Sequence, residues 1–397
     1  MTSTTSVTST RKLFALSCVG LLTFGVVLTT LGSVLPSLVT RFGIDKAEAG
    51  ALLALMSFGI IAGSIVMGPV VDRRGYRDML AISMALIALG LEGIAAASSL
   101  AVLRVAILAI GFGGGIVNGG TNALVADIHT EDKNAKLMLL GVFFGVGAVG
   151  VPFALGVLSS STFFTPARIL AIIGALVIVP IVVTLLTVFP APKQPQGVPL
   201  TAVGKLLREP FLLFMGLLAF LESGVEITVG GWTATFFKEE LALTDARALG
   251  YLALYWTGMT VARLVIGTVF SRRSPLAIVF SCIGIALVGS LLLLGTHVVA
   301  LAALGVFLLG VGFSATFPTL LGFVGERYAG LSGTAFSIII VMALMGGMAL
   351  PWTTGVLGTT YGLRTSFLIV PGALVVLASL LAAVSRRLTV QPQVNAV

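Results

Sequence analysis

Two glutamates four residues apart interrupt an otherwise apolar stretch of the chain. Glu222 and Glu226 lie in the segment LLAFLESGVEITVGGWTATFF, and residues four apart share one face of a helix. Carboxylates in an apolar environment lose their hydration and repel each other, so the pair is stabilised when it takes up a proton or a cation. The spacing therefore predicts a proton or sodium site that couples ion movement to another process. A structural ion pair with Arg263 is the alternative.

Other residues of the same segment suggest additional contacts. Gly224 and the pair Gly230 and Gly231 are predicted to loosen the helix so that carbonyl oxygens also coordinate an ion. Trp232 follows Glu226 by one to two turns, a position from which its ring could stack on the face of a sugar.

A second polar pair lies in the segment GFGGGIVNGGTNALVAD. Asn118 and Asn122 again stand four apart, and each amide offers donors and an acceptor that suit a polyhydroxylated ligand. Hydrogen bonding between helices is the alternative. The glycine run indicates close helix contact rather than a nucleotide-binding loop, because no strand precedes it.

A proline marks a third polar segment, GVGFSATFPTLLGFVGE. Pro318 has no backbone N–H and breaks the hydrogen-bond ladder of a helix. Thr316 and Thr319 are predicted to satisfy the groups that the break frees. Thr316 is also a predicted substrate contact.

Charged residues are concentrated in the stretch GPVVDRRGYRDML, between two apolar segments. Its basic side chains could pair with Asp127 or with the acids at 131–132, and its aspartate could accept hydrogen bonds from a helix N-terminus. A plain anchor of positive charge is the alternative, although anchoring alone requires neither Asp72 nor Gly75. We predict a breakable cytoplasmic latch formed by Gly68, Asp72, Arg73, Gly75, Arg77 and Asp127.

Composition places all these groups in a membrane protein. The 397 residues are 57% hydrophobic and only 10% charged, whereas soluble domains carry about 25% charged residues. Uncharged runs of roughly 20 residues, the length that crosses a bilayer, recur along the chain. The predicted spans are 13–39, 47–70, 78–98, 100–127, 136–159, 166–189, 210–237, 246–270, 275–295, 298–324, 332–358 and 364–384.

The distribution of basic residues predicts the orientation. Most lysines and arginines outside the spans fall on the side that holds both termini and the central loop, which indicates the cytoplasm. The chain is thus predicted to be a multi-pass protein of a bacterial inner membrane. The net charge of +8 follows from the same bias, so no nucleic-acid partner is expected.

The halves of the chain resemble each other. GSIVMGPVVDRRG ends the second span and ARLVIGTVFSRRS ends the eighth, so that Gly68 matches Gly267 and paired arginines follow both. Duplicated six-helix halves are a transporter architecture. The predicted organisation is a bundle at 1–189, a cytoplasmic loop at 190–209 and a second bundle at 210–397.

The charged stretch resembles the signature loop between spans 2 and 3 of the major facilitator superfamily, Gly-x-x-x-Asp-Arg-x-Gly-Arg-Arg/Lys-x-x-Leu. Tyr76 replaces the first arginine of the later pair. The resemblance implies an all-α membrane protein with twelve transmembrane helices in two pseudo-symmetric six-helix bundles. The positions that fit the pattern are Gly68, Asp72, Arg73, Gly75, Arg77 and Leu80.

A looser resemblance points to the fucose, glucose and sodium-glucose branch of that family. It is carried by the sequence FPT, the paired asparagines and the E-x-x-x-E…GW pattern. Proton-coupled fucose permease relatives are expected to carry acids in spans 1 and 4, whereas here span 1 has none and Asn118 stands at the span-4 position. This departure moves the implied ion coupling to Glu222 and Glu226, as in the sodium-coupled glucose relatives.

We therefore predict a secondary active transporter, a symporter that imports a sugar or similar small polar solute with protons or sodium by rocking of two halves. It is expected to work as a monomer in contact with lipid. A proton-coupled exporter of drugs or metabolites with the same fold is the alternative, and a non-transporting receptor is a third reading. An enzyme is not expected, because the sequence shows no nucleophile–base pair and no metal-ligand cluster. No cofactor beyond the coupling ion is expected.

Overall fold

A computed structural model describes residues 2–129, 133–158, 163–190, 204, 206–270, 273–328 and 332–388, and they contain helices and no strand. Some side chains within these helices lie outside the description, among them those at 68–69 and 72–73. The helices are α1 (Thr2–Phe42), α2 (Lys46–Arg74), α3 (Tyr76–Ala96), α4 (Leu100–Ile128), α5 (Lys133–Leu158), α6 (Pro166–Leu186), α7 (Pro210–Glu240), α8 (Asp245–Thr268), α9 (Pro275–Gly295), α10 (Val299–Phe313), α11 (Thr316–Arg327), α12 (Ser332–Tyr361), α13 (Leu363–Ser366) and α14 (Ile369–Leu388).

The described part of the chain contains twelve helical segments long and apolar enough to cross a membrane. Ten of them are single helices. The tenth segment consists of α10 and α11, and the twelfth contains α13 and most of α14. The predicted all-α fold with twelve spans is therefore confirmed. Most of the predicted central loop, at 191–203 and 205, lies outside the described residues.

Contacts divide the chain into two compact units. The first comprises Met1–Ile44, Leu55–Gly197 and Asp245–Ala253, and the second comprises Asp45–Ala54, Val198–Thr244 and Leu254–Val397. The first turns of α2 thus belong to the second unit, and the first turns of α8 belong to the first. The predicted boundaries instead keep each of these helices whole, and the division into two six-helix bundles stays a prediction.

Glycines in the first unit allow α2 and α4 to approach until their backbones touch. A Cβ atom at Gly111 would lie 2.5 Å from the carbonyl oxygen of Met56, and one at Gly115 would overlap the carbonyl oxygen of Ile60. Because any larger residue would push the helices apart, the glycine run acts as a packing surface. The close helix contact predicted from the sequence is confirmed.

The second unit repeats this device between α8 and α10. A Cβ atom at Gly258 would lie 2.7 Å from the carbonyl oxygen of Phe307, and one at Gly310 would overlap the carbonyl oxygen of Tyr255. The contact holds the middle of α8 against the end of α10. It therefore fixes where the polar side chains of α8 lie relative to the break that follows α10.

We expect Gly115→Ala to lower the thermal unfolding temperature of the detergent-purified protein, because the added methyl group meets backbone rather than a movable side chain. Overpacking of this kind typically costs about 1–3 kcal/mol. Gly150→Ala in α5 is the matched control, since nothing lies within 4 Å of a Cβ atom there. Alanine favours a helix over glycine by about 1 kcal/mol, so the control should be as stable as the parent or more stable. Equal effects of the two substitutions would contradict the packing role.

Candidate functional site

The buried acid pair lies on an unbroken helix. α7 runs without interruption from Pro210 to Glu240, and it packs closely on α12. A Cβ atom at Gly346 would overlap the carbonyl oxygen of Phe220, and one at Gly224 would meet the side chain of Leu350 at 2.8 Å. This contact holds the α7 turn that carries Glu222 against α12.

The prediction that glycines loosen α7 is wrong. Gly224, Gly230 and Gly231 all lie inside the continuous helix. Each of them makes room for a neighbouring side chain: Gly230 faces the ring of Trp256, and Gly231 faces Leu53. A glycine in an apolar helix can either weaken the helix or let a neighbouring group approach closely. Here the glycines let neighbouring side chains approach, and the helix is continuous.

The carboxyl group of Glu222 is buried. Its side chain is 1% exposed, and neither carboxyl oxygen has a hydrogen-bond partner in the described part of the chain. The half-buried Glu226 carboxyl lies within hydrogen-bonding reach of it. Two carboxylates can only accept, so a hydrogen bond between them requires that one of them carries a proton. The pair can therefore hold a proton, and its combined negative charge can also attract a cation.

The helix break in the tenth span lies next to this pair. Pro318 cannot donate to the residue four positions earlier, which leaves the carbonyl of Ser314 without its helical partner. The Nε atom of Arg263 on α8 donates to that carbonyl at 3.1 Å. The Thr319 hydroxyl does not reach this carbonyl, because it donates to the carbonyl of Ala315 at 2.8 Å, and the role of Thr316 stays a prediction. The freed carbonyl is thus satisfied by an arginine from another helix.

The start of α11 faces Glu222. The backbone amide of Phe317, in the first turn of α11, lies near the Glu222 carboxyl group. Thr316 precedes it and is 2% exposed. The N-terminus of a helix carries partial positive charge and favours an anion. Glu222 therefore lies among the second acid, the Arg263 guanidinium and a positive helix end.

A tyrosine that sequence reasoning missed completes this cluster. Tyr255 on α8 is fully buried, and its hydroxyl donates to the backbone carbonyl of Glu226 at 3.3 Å. Tyr255 precedes Arg263 by about two helical turns, so both project from one face of α8. That spacing is a signal that could have identified Tyr255 once Arg263 had been noticed.

Trp232 lies away from any open surface. It is fully buried, and its Nε1 atom donates to the carbonyl of Pro351 in α12 at 3.1 Å. Its ring edge lies against Gly355, where a Cβ atom would approach it to 3.0 Å. The ring is thus part of the α7–α12 contact in this structure, and its stacking on a ligand stays a prediction.

The two asparagines are linked to each other. The side-chain amide of Asn122 donates to the backbone carbonyl of Asn118 at 2.8 Å and to its Oδ1 atom at 3.2 Å. Both side chains are half-buried. They belong to the first compact unit, whereas Glu222, Glu226, Trp232 and Thr316 belong to the second. The structure brings Asn118 into contact with Asn122 and places Glu222 next to Glu226, whereas Trp232 lies in the contact with α12.

The latch residues are only partly described. The backbone of α2 includes Gly68, Asp72 and Arg73, but their surroundings lie outside the described part, as do residues 131–132. Gly75 forms the turn between α2 and α3 with φ of 79° and ψ of −178°, a conformation that is essentially restricted to glycine.

Tyr76 provides an unforeseen contact in this turn. Its hydroxyl donates to a carboxylate oxygen of Asp127 at the end of α4, at 2.7 Å. Arg77 instead forms an exposed ion pair with its neighbour Asp78, at 2.8 Å. The residue that departs from the signature pattern thus contacts the acid through an uncharged donor.

Comparisons with known proteins agree with this architecture. A model of the Major Facilitator Superfamily matches residues 17–351. The uncharacterized transporter y4wD of Sinorhizobium fredii is 25% identical over 378 residues, which cover 93% of this chain and 97% of that protein. Human sodium-dependent glucose transporter 1 is 23% identical over 385 residues, with coverage of 87% and 73%.

A solved structure shows the same fold. The crystal structure of a D-xylose-proton symporter matches with a TM-score of 0.77 at 15% identity, and the match covers 94% of this chain and 97% of that one. The twelve apolar segments make the protein a multi-pass membrane protein. Because the family model spans most of the sequence, the chain belongs to the Major Facilitator Superfamily, a family of membrane transporters and not of enzymes.

Proposed function

We propose that the protein is an ion-coupled secondary transporter that carries a sugar or similar small polar solute by alternating access, with Glu222 and Glu226 as the coupling site for a proton or sodium. The observation that carries this proposal is a carboxyl group 1% exposed and without a partner in the described residues, beside a second acid and an arginine. Ionisable groups inside a membrane are costly and mark ion and substrate pathways. Among the described residues, neither carboxyl oxygen of Glu222 has a donor that would make the acid part of a structural ion pair.

Several features support a polar substrate. The similarity to a sodium-dependent glucose transporter extends over most of both chains. Asn118 and Asn122 present amides within an apolar span, and amides suit hydroxyl-rich solutes. In this proposal the substrate contacts are Asn118, Asn122, Glu226, Thr316 and Trp232.

The proposal includes a cellular setting. The bias of lysine and arginine supports cytoplasmic termini and a bacterial inner membrane. The chain works there as a monomer surrounded by lipid, with no partner except its solute and its coupling ion. In this proposal the latch residues at the turn between α2 and α3 open and close the transporter on the cytoplasmic side.

A proton-coupled exporter of drugs or hydrophobic metabolites is the second candidate. It is favoured by the position of Trp232, which is enclosed between α7 and α12 and donates to a backbone carbonyl. A substrate site without that ring has fewer groups that recognise a sugar. The exporter would use the same acid pair for protons.

Glu226→Gln is expected to abolish concentrative uptake, because glutamine keeps the size of the side chain but cannot bind or release a proton or sodium. The measurement is saturable uptake of labelled sugars into proteoliposomes under a pH gradient or a sodium gradient. Glu326→Gln is the control, since Glu326 is an exposed glutamate of α11. Uptake by the Glu226→Gln protein at the parental level would contradict the coupling role. Dye extrusion without sugar uptake would support the exporter, and binding without translocation would support a receptor.

Tyr76→Phe is expected to loosen the turn between α2 and α3, because it removes the donor to Asp127. A hydrogen bond to a charged group contributes about 1.5–3 kcal/mol, so amide hydrogen exchange in this turn should accelerate by about 10-fold or more. Tyr361→Phe is the control, because that side chain is 64% exposed. If both variants exchange at the parental rate, the Tyr76 contact does not hold the turn.

A further inference from the structure

We infer that the Glu222–Glu226 pair takes a proton and excludes sodium, with Arg263 as a fixed cation that occupies the place a metal ion would need. This inference rests on the proposed function, in which the same pair is the coupling site, and it names the ion. The similarity to a sodium-dependent glucose transporter would favour sodium as the coupling ion. The assignment of a proton therefore rests on the contacts of this chain.

The first argument concerns oxygen ligands. A hard cation needs several oxygens around it, and transporters supply them from unwound carbonyls and half-helix C-termini. The carbonyl that Pro318 frees is that of Ser314, and Arg263 donates to it at 3.1 Å. The Glu226 carbonyl accepts from the Tyr255 hydroxyl, and the Gly224 carbonyl accepts from the Thr228 hydroxyl at 2.7 Å. These carbonyls are thus engaged by side chains of the protein.

The second argument concerns charge. Among the described residues, the charged groups near Glu222 are Glu226 and Arg263, and Tyr255 lies near both acids. Two carboxylates and one guanidinium leave a single negative charge, which one proton neutralises. A sodium ion would supply the same charge, but it would stand beside a guanidinium that cannot lose its proton. Repulsion between two cations in an apolar setting disfavours sodium.

The third argument concerns where the proton would be held. Both oxygens of Glu222 are buried and without a hydrogen-bond partner in the described residues, and Glu226 lies within reach. A proton on one carboxyl creates a donor that the other carboxylate accepts, which satisfies both groups at once. Proton uptake forms one O–H bond and one hydrogen bond, and release reverses both. Arg263 acts as a positioning residue that holds the pair at one proton.

The test uses the infrared band of a protonated carboxyl group, recorded on the full-length purified protein, because this readout needs no knowledge of the substrate. We expect the carboxylic-acid C=O band to be present at neutral pH. It should be lost in both Glu222→Gln and Glu226→Gln and retained in Glu326→Gln. Replacing potassium with sodium in the buffer should leave the band unchanged. Loss of the band in sodium, or its absence from the parent protein, would overturn the inference.

Arg263 provides a second measurement on the same spectrum. In Arg263→Gln the fixed positive charge is gone, so the second carboxyl should also be protonated and the band area should rise by about two-fold. Arg263→Lys retains the charge and should restore the parental area. A band unaffected by Arg263→Gln would show that the arginine has only a structural role, which would overturn its assignment.

Failure of the proposed function gives a different result from failure of this inference. A sodium-insensitive band without uptake of labelled glucose, xylose or fucose under any gradient would support the proton assignment and refute sugar symport. Concentrative uptake that needs a sodium gradient at equal pH would support sugar symport and overturn the proton assignment.

Discussion

A carboxyl group buried in an apolar span must find compensation, and this requirement organises the polar part of the structure. Pro318 interrupts a helix, which frees the Ser314 carbonyl. Arg263 crosses from α8 to donate to that carbonyl, and its positive charge thereby comes close to Glu222 and Glu226. The helix break at Pro318 thus positions the Arg263 guanidinium, whose positive charge stabilises the two nearby acids.

The supporting framework is built from glycine contacts that repeat in both units. Gly115 meets the Ile60 carbonyl, and Gly310 meets the Tyr255 carbonyl. A larger residue at Gly310 would push α8 away from the tenth span and move Arg263 away from the break. The abundance of glycine in this sequence, 48 residues, is therefore a packing requirement as much as a source of flexibility.

Local sequence pattern was sufficient to predict the membrane spans and to identify the two glutamates. It was insufficient to predict which residues of other helices contact them. Long apolar runs define membrane helices because every backbone polar group in lipid must be satisfied internally. Glu222 and Glu226 stand out because charge is rare in such runs. The contact of Trp232 with Pro351 joins residues 119 positions apart, and no periodicity encodes it. Gly224 was misread because a glycine that loosens a helix and one that admits a neighbour look identical in a sequence.

The contact between Tyr76 and Asp127 has a consequence for how the turn between α2 and α3 responds to its surroundings. An arginine at this position would form an ion pair, and ion pairs near the surface weaken as ionic strength rises. The phenol hydroxyl carries no charge, so dissolved ions screen its bond to the carboxylate far less. This chain therefore holds the turn against α4 through a link that weakens less than an ion pair as ionic strength rises.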